Sequence, residues 1–359
     1  MRSTTRLHLM TAAVLHGKED VRIEQVALPQ AGPGELVVRV GVALTCGTDL
    51  KVFRRGYHAR MITPPALFGH ELAGVVVEVG AGVTNFAVGD RVVALNSAPC
   101  GECYFCGRDQ ENLCENLLFN NGAYAQFVRI PSRIVARNTL RVPENVLLEH
   151  AALTEPLACA LHGFEDCNPL EGDTVAVIGG GPLGLMIIHV AALAGCKVIA
   201  VVKRPAQAKM ARKLGAAHVV QTSPTTDVVD AVRKLTPRHR GVDIAIEAVA
   251  LPETWEQAVA MVRNGGVVNF FGGPAAGTEV RLDTNRLHYG DITLKATFHH
   301  TPAICARAFD LIASGRFMAS NFITGHAPLS ELNEVFAEMA SRGSQIKTAI
   351  LPGDLGLAT

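Results

Sequence analysis

The sequence has no net charge: 33 Lys and Arg stand against 33 Asp and Glu, and charged residues make up only 18% of its 359 positions. That balance excludes a broad nucleic-acid or anionic-membrane partner, which needs a basic face. Charge runs are scarce and hydrophobic residues reach 48%, so the chain is not disordered and has material for a large core. It also lacks an uninterrupted run of ~20 apolar residues, so no membrane helix is expected. Nine cysteines are too few and too uneven for a small disulfide scaffold. There is no internal repeat and no low-complexity segment. At ~100–200 residues per domain, the length predicts two domains.

Residues 1–6 carry two arginines ahead of an apolar stretch at 7–15. His8 and Thr11 interrupt that stretch, and Gly17-Lys18-Glu19-Asp20 stands where a small-residue cleavage site would be. The segment reads as a short frayed start and a first strand rather than a signal peptide, and a cytoplasmic protein is expected. The first 150 residues read as β-rich, with β-branched runs at 35–40 and 73–79 set off by Gly and Pro clusters. Helical patterning begins near Leu153. From Asp173 strands and helices alternate: strands at 173–178, 197–202, 218–221, 242–248 and 266–271, and helices at 183–194 and 205–214. Such alternation predicts a parallel sheet covered by helices. A last helix is expected at 302–314.

The turn Gly179-Gly180-Gly181-Pro182-Leu183-Gly184 follows the 175–178 strand and opens a helix. Gly179, Gly181 and Gly184 fill G-x-G-x-x-G: a tight turn, close approach of a pyrophosphate, and helix packed on strand. The pyrophosphate then meets the positive helix end, so Pro182 and Leu183 join the glycines as cofactor-binding candidates. NAD sites place an acid about 20 residues on, at the end of the second strand. Here Val201-Val202-Lys203-Arg204 has no carboxylate. Lys203 and Arg204 suit a 2′-phosphate, the arginine bidentately, so NADP is favoured over NAD. The plainer alternative is a solvated strand end.

Cys100, Cys103, Cys106 and Cys114 form C-x2-C-x2-C-x7-C. Four thiolates closing a tetrahedral shell predict a structural zinc in a reducing compartment. An iron–sulfur cluster uses the same ligand type, but the spacing does not match ferredoxin runs. A second set is scattered: Cys46 in Thr45-Cys46-Gly47-Thr48-Asp49, His70 and Glu71 after Gly69, and Glu155 in Thr154-Glu155-Pro156-Leu157. Each is bland alone. Together they supply a thiolate, an imidazole and two carboxylates, enough for a zinc site with an open position.

This ordered set, with the four-cysteine lobe and the Gly179–Gly184 turn, resembles the zinc-dependent medium-chain alcohol dehydrogenases along essentially the whole chain. The resemblance implies an α/β protein: a GroES-like β-rich catalytic domain (1–160 and 301–359) holding the zinc sites, with an inserted Rossmann doubly wound parallel sheet (161–300). It implies one catalytic and one structural zinc, and a homodimer or homotetramer. Simple alcohol dehydrogenases have a cysteine ligand at the place of Glu155, whereas sorbitol and threonine dehydrogenases have Thr/Ile-Glu-Pro-Leu, as here. The implied catalytic ligands are Cys46, His70 and either Glu71 or Glu155. Asp49 is implied to orient the imidazole, and the Thr48 hydroxyl to relay the alcohol proton; the bland alternative is that Thr48 caps the following helix.

Two positions depart from the family. Lys51 stands where many members carry the relay histidine, and Thr297-Phe298-His299-His300-Thr301 replaces the Arg-Tyr pair of polyol dehydrogenases. The expected function is hydride transfer between a nicotinamide cofactor and a polyol or other secondary alcohol, giving a ketose or ketone. The alternatives are an L-threonine 3-dehydrogenase-like enzyme and, in a different class, a non-catalytic zinc-stabilised dinucleotide-binding protein.

Overall fold

The computed structural model describes residues 8–58, 60–341 and 343–353; the expected frayed start at residues 1–6 lies outside them. The chain divides into two compact units, one made of residues up to Glu155 together with those from Thr301 on, the other Pro156–His300. Among the described residues no helix is long and apolar enough to cross a membrane.

The largest sheet of the first unit has seven strands. Six run in the order Thr139–Arg141, Arg91–Ala94, Leu72–Val79, Leu36–Leu44, Lys347–Leu351, Ile323–Pro328, and Phe127–Ile130 pairs with Leu36–Leu44 as well. Leu36–Leu44 meets three partners because one edge pairs with Leu72–Val79 while the other pairs with Phe127–Ile130 through residues 36–39 and with Lys347–Leu351 through residues 43–44. Its register also shifts twice against Leu72–Val79, and bulges of this kind bend a strand. Leu36, Val38 and Val40 pack with Leu72, Val76, Val92 and Ile130 in a core that also holds Phe68, Tyr124 and Phe336. Lys347–Leu351 enters antiparallel, with Ala349 opposite Leu44 and Ile350 opposite Ala43. The turn after Leu44 therefore meets residues some 300 positions further along the chain.

Two helices, Gly47–Arg55 and Ser132–Arg137, interrupt the stretch that reads as β-rich. The first has ordinary signals: Asp49 in its opening turn and Arg54 and Arg55 in its last complement the helix dipole, and Gly56 closes it at φ 87°.

The second unit is built on six parallel strands: β1 (Thr174–Ile178), β2 (Lys197–Val202), β3 (His218–Gln221), β4 (Val242–Glu247), β5 (Val262–Phe270) and β6 (Thr293–Lys295). They lie in the order β3-β2-β1-β4-β5-β6, the doubly wound arrangement in which the strand order reverses beside β1. The central strands are apolar on both faces, as a sheet covered on both sides requires. Five of the six strands fall where the alternation predicts, save that β5 starts at Val262, four residues earlier; the short β6 is an addition that the alternation did not announce. Trp255 stacks on Phe270 with ring centroids 4.0 Å apart, so it packs its helix on the sheet.

Asp166 ties the end of this sheet to the helix Thr154–Glu165. Lys295 Nζ donates to its Oδ1 at 2.6 Å, and Thr297 Oγ1 to its Oδ2 at 2.5 Å. Burial works to raise the Asp166 carboxyl, but these two donors outweigh it and hold the group below its ordinary value. A depressed carboxylate stabilises the fold above its unfolded pKa of about 3.9 and loses that contribution as pH falls through the folded value. Asp166→Asn is therefore expected to destabilise the protein at pH 7, with the difference from wild type shrinking below about pH 4. Urea unfolding at both pH values checks this.

Candidate active site and metal centres

The first unit gathers Cys46, His70 and Glu71 so that each offers a ligand atom within 4.8 Å of the others. Cys46 ends the segment after Leu36–Leu44 and is the N-cap of the helix Gly47–Arg55, its Sγ accepting from Thr48 N at 3.4 Å. The cap is thus Cys46, and Thr48 stands half-buried inside the first turn. His70 and Glu71 lie immediately before the strand Leu72–Val79, both buried. His70 Nδ1 donates to Asp49 Oδ1 at 2.8 Å, which leaves Nε2 as the ring nitrogen for a metal. Glu155 is buried close by, and Asn96 Nδ2 donates to its Oε1 at 3.0 Å.

Two residues absent from the sequence reading complete this region. Lys347 is fully buried and donates from Nζ to both oxygens of Glu71, at 2.6 and 2.8 Å, and to Thr45 O at 2.8 Å. Tyr124, also fully buried, donates from its hydroxyl to Asp49 Oδ2 at 2.6 Å. Neither carries a signal in its own stretch of sequence, because each reaches the site only through strand pairing.

The donor set fits a cation. Asp49, Glu71, Glu155 and the Cys46 thiol are crowded against one lysine and one imidazole. Burial pushes Glu71 up to about 7, with Lys347 pulling against it and Glu155 adding to the rise. Burial likewise raises Glu155. Burial alone would lower His70, but Asp49 and Cys46 hold it well above its ordinary value. Buried acid in excess of base, with a thiol and an oriented imidazole among it, is the chemistry of a zinc site.

The four-cysteine lobe is equally compact. The sulfur of Cys103 lies 3.5 Å from that of Cys106 and 3.9 Å from that of Cys114, and Cys100 is 3.9 Å from Cys106. A tetrahedral shell with zinc–sulfur bonds of ~2.3 Å has edges of about 3.8 Å. All four are free thiols. Backbone N–H groups of Cys106 and Glu115 pull Cys103 down to about 6, whereas burial pushes Cys106 up to about 12. The lobe alone does not keep four thiolates; a divalent metal would.

In the second unit the Gly179–Gly184 turn joins β1 to the helix Pro182–Leu193, whose N-cap is Gly181. A Cβ on Gly184 would lie 2.2 Å from Gly179 O, so glycine is required for the helix to approach the turn, while a Cβ on Gly181 would meet nothing within 4 Å. The open side over Gly181 leaves room for a ligand at the helix N-terminus, with Pro182 and Leu183 in its first turn. Lys203 is exposed and Arg204 half-buried just beyond β2. Glu247, at the end of β4, holds the adjoining loop: its Oε1 accepts from Val249 N, Ala250 N and Thr254 Oγ1. Of the remaining histidines, His189 is buried and bonded to Leu214 O, and His162 Nδ1 contacts His299 O, which fixes the backbone where His299 adopts φ 62°.

Comparison with known proteins agrees with this architecture. Residues 32–143 match the alcohol dehydrogenase GroES-like domain, and residues 182–314 match the zinc-binding dehydrogenase domain. The chain is 32% identical to an erythritol/L-threitol dehydrogenase of Mycolicibacterium smegmatis over 96% of its length and 98% of that protein's. It is 35% identical to an L-threonine 3-dehydrogenase of Pyrococcus furiosus over 69% of this chain and 71% of that one. A zinc-binding dehydrogenase of Sinorhizobium meliloti bound to NADP superposes with TM-score 0.89 at 31% identity, over 96% of this chain and all of that one. With a GroES-like β unit, a doubly wound parallel sheet and a buried Cys–His–Glu cluster, the chain belongs to the zinc-dependent medium-chain alcohol dehydrogenase family and is an oxidoreductase acting on CH–OH.

Proposed function

We propose that the protein oxidises a polyol or other secondary alcohol to the ketose or ketone, reversibly, with NADP as partner and two zinc ions per chain. The buried cluster of Cys46, His70 and Glu71, with more acid than base around it, carries the reading. Cys46, His70 and either Glu71 or Glu155 would hold the catalytic zinc, and Cys100, Cys103, Cys106 and Cys114 the structural one. Bound zinc would lower the pKa of an alcohol oxygen toward neutrality. Asp49 keeps the His70 proton on Nδ1, so the imidazole would offer Nε2 to the metal. Thr48 presents a hydroxyl two residues from Cys46 and would take the alcohol proton outward; Lys51 follows where many relatives have histidine. The Gly179–Gly184 turn would seat the pyrophosphate against the helix N-terminus.

Lys203 and Arg204 would pair with the 2′-phosphate. A charge-assisted hydrogen bond contributes ~1.5–3 kcal/mol, so the double change Lys203→Ala, Arg204→Ala is expected to raise KM for NADP about 10–100-fold and to leave NAD nearly untouched. A wild-type kcat/KM that favours NAD would remove the assignment. The substrate class is tested by measuring NADP and NAD reduction over sugar alcohols, simple secondary alcohols and L-threonine, before and after chelation, beside zinc analysis. Threonine as the best substrate would favour the reading suggested by the Pyrococcus relative. One zinc per chain and no activity would leave a dinucleotide-binding module. We further assign the enzyme to the cytoplasm, since a four-thiolate lobe needs reduced cysteines, and expect a homodimer or homotetramer, which light scattering resolves.

A further inference from the structure

We infer that Tyr124 is a positioning residue for the catalytic metal centre, the outer member of a buried chain Tyr124–Asp49–His70 that orients the ligand imidazole. The inference rests on the metal reading of Cys46 and His70 given above. The three residues are 0%, 2% and 4% exposed, so no solvent competes for their hydrogen bonds. Asp49 uses both oxygens: Oδ1 accepts from His70 at 2.8 Å and Oδ2 from Tyr124 at 2.6 Å. A carboxylate taken out of water is tolerated only when its oxygens are bonded, and the two donors lock its plane. With Oδ2 anchored on the phenol, Oδ1 is aimed at His70, and the imidazole is held with Nε2 toward Cys46 and Glu71.

The placement of the phenol is itself constrained. Gly69, next to His70, adopts φ 88°, and a Cβ there would lie 2.5 Å from the Tyr124 ring. The ring packs edge-on against Phe68 and Phe336, at 5.8 and 6.1 Å between centroids. Burial and then the charge of Asp49 hold the phenol well above its ordinary pKa, so it remains a donor throughout the working range. A purely structural role would need less: Leu44 O lies 3.1 Å from the hydroxyl and would satisfy it without Asp49. The shorter contact to Asp49 is what links the tyrosine to the ligand histidine.

Tyr124→Phe removes the hydroxyl and keeps the ring. Groups that hold a metal ligand's partner typically matter 10–100-fold, so zinc is expected to leave the variant about 10-fold faster under a chelator, and kcat to fall by a similar factor with KM little changed. The cobalt-substituted protein should show a shifted visible spectrum, because the imidazole sits differently on the metal. In an Asp49→Asn background the same change should have no further effect, since Tyr124 acts through Asp49. Wild-type zinc loss and cobalt spectrum in Tyr124→Phe, or an undiminished effect in the Asp49→Asn background, would overturn the inference. If instead Cys46→Ser costs the parent protein no zinc, the metal reading itself fails, and the inference with it.

Discussion

Lys347→Met is expected to be the most destabilising single change in the first unit. Lys347 and Glu71 are 1% and 0% exposed at their side chains and meet at 2.6 Å. Removing one partner of a buried ion pair leaves the other charge without compensation, which costs about 3–5 kcal/mol. Urea unfolding should show this loss, and it should be largest in zinc-free protein, where no cation can take the place of the ammonium beside Glu71. Changing both residues, Lys347→Met with Glu71→Leu, should recover most of the loss, because well-packed apolar pairs of similar volume replace buried ion pairs at little cost. A double variant as unstable as the single one would show that the pair is not the cause. On the proposed metal reading the lysine would compete with zinc for the Glu71 carboxylate, so Lys347→Met is expected to free that carboxylate.

Cys46→Ser should separate chemistry from folding. Serine is among the preferred N-cap residues, so the helix Gly47–Arg55 keeps a side-chain acceptor for Thr48 N and stability should change little. What is lost is the thiolate. Zinc content should fall from two ions per chain to one, the remaining ion belonging to the four-cysteine lobe. Polarisation by a metal contributes several kcal/mol to the transition state, so kcat/KM should fall about 10³-fold or more. Loss of both ions, or retention of activity, would contradict the assignment of Cys46 to the catalytic centre.

The parts legible in the sequence are those whose chemistry is local. Gly179, Gly181 and Gly184 announce the turn because helix and strand must touch within six residues, and the 2.2 Å clearance at Gly184 is the physical form of that demand. The four cysteines lie within one loop, so their spacing alone draws them into a shell. Cys46, the adjacent pair His70-Glu71, and Glu155 are far apart in sequence, so donor type alone made them a candidate set and resemblance to a family gave them an order. The helix Gly47–Arg55 enters the sequence reading only as the alternative in which Thr48 caps it, although Asp49, Arg54, Arg55 and Gly56 mark its two ends.

The sequence by itself thus determined the alternation of the sheet unit, the glycine turn after its first strand, the residue types of both candidate metal clusters and the balance of charge. Only the tertiary structure decided who surrounds the buried Cys46–His70–Glu71 cluster. Lys347 reaches Glu71 because its strand pairs with Leu36–Leu44, and Tyr124 reaches Asp49 because the core folds it over Gly69. Such partners leave no local pattern, since a buried charge needs a compensating group in space and not at any particular distance along the chain.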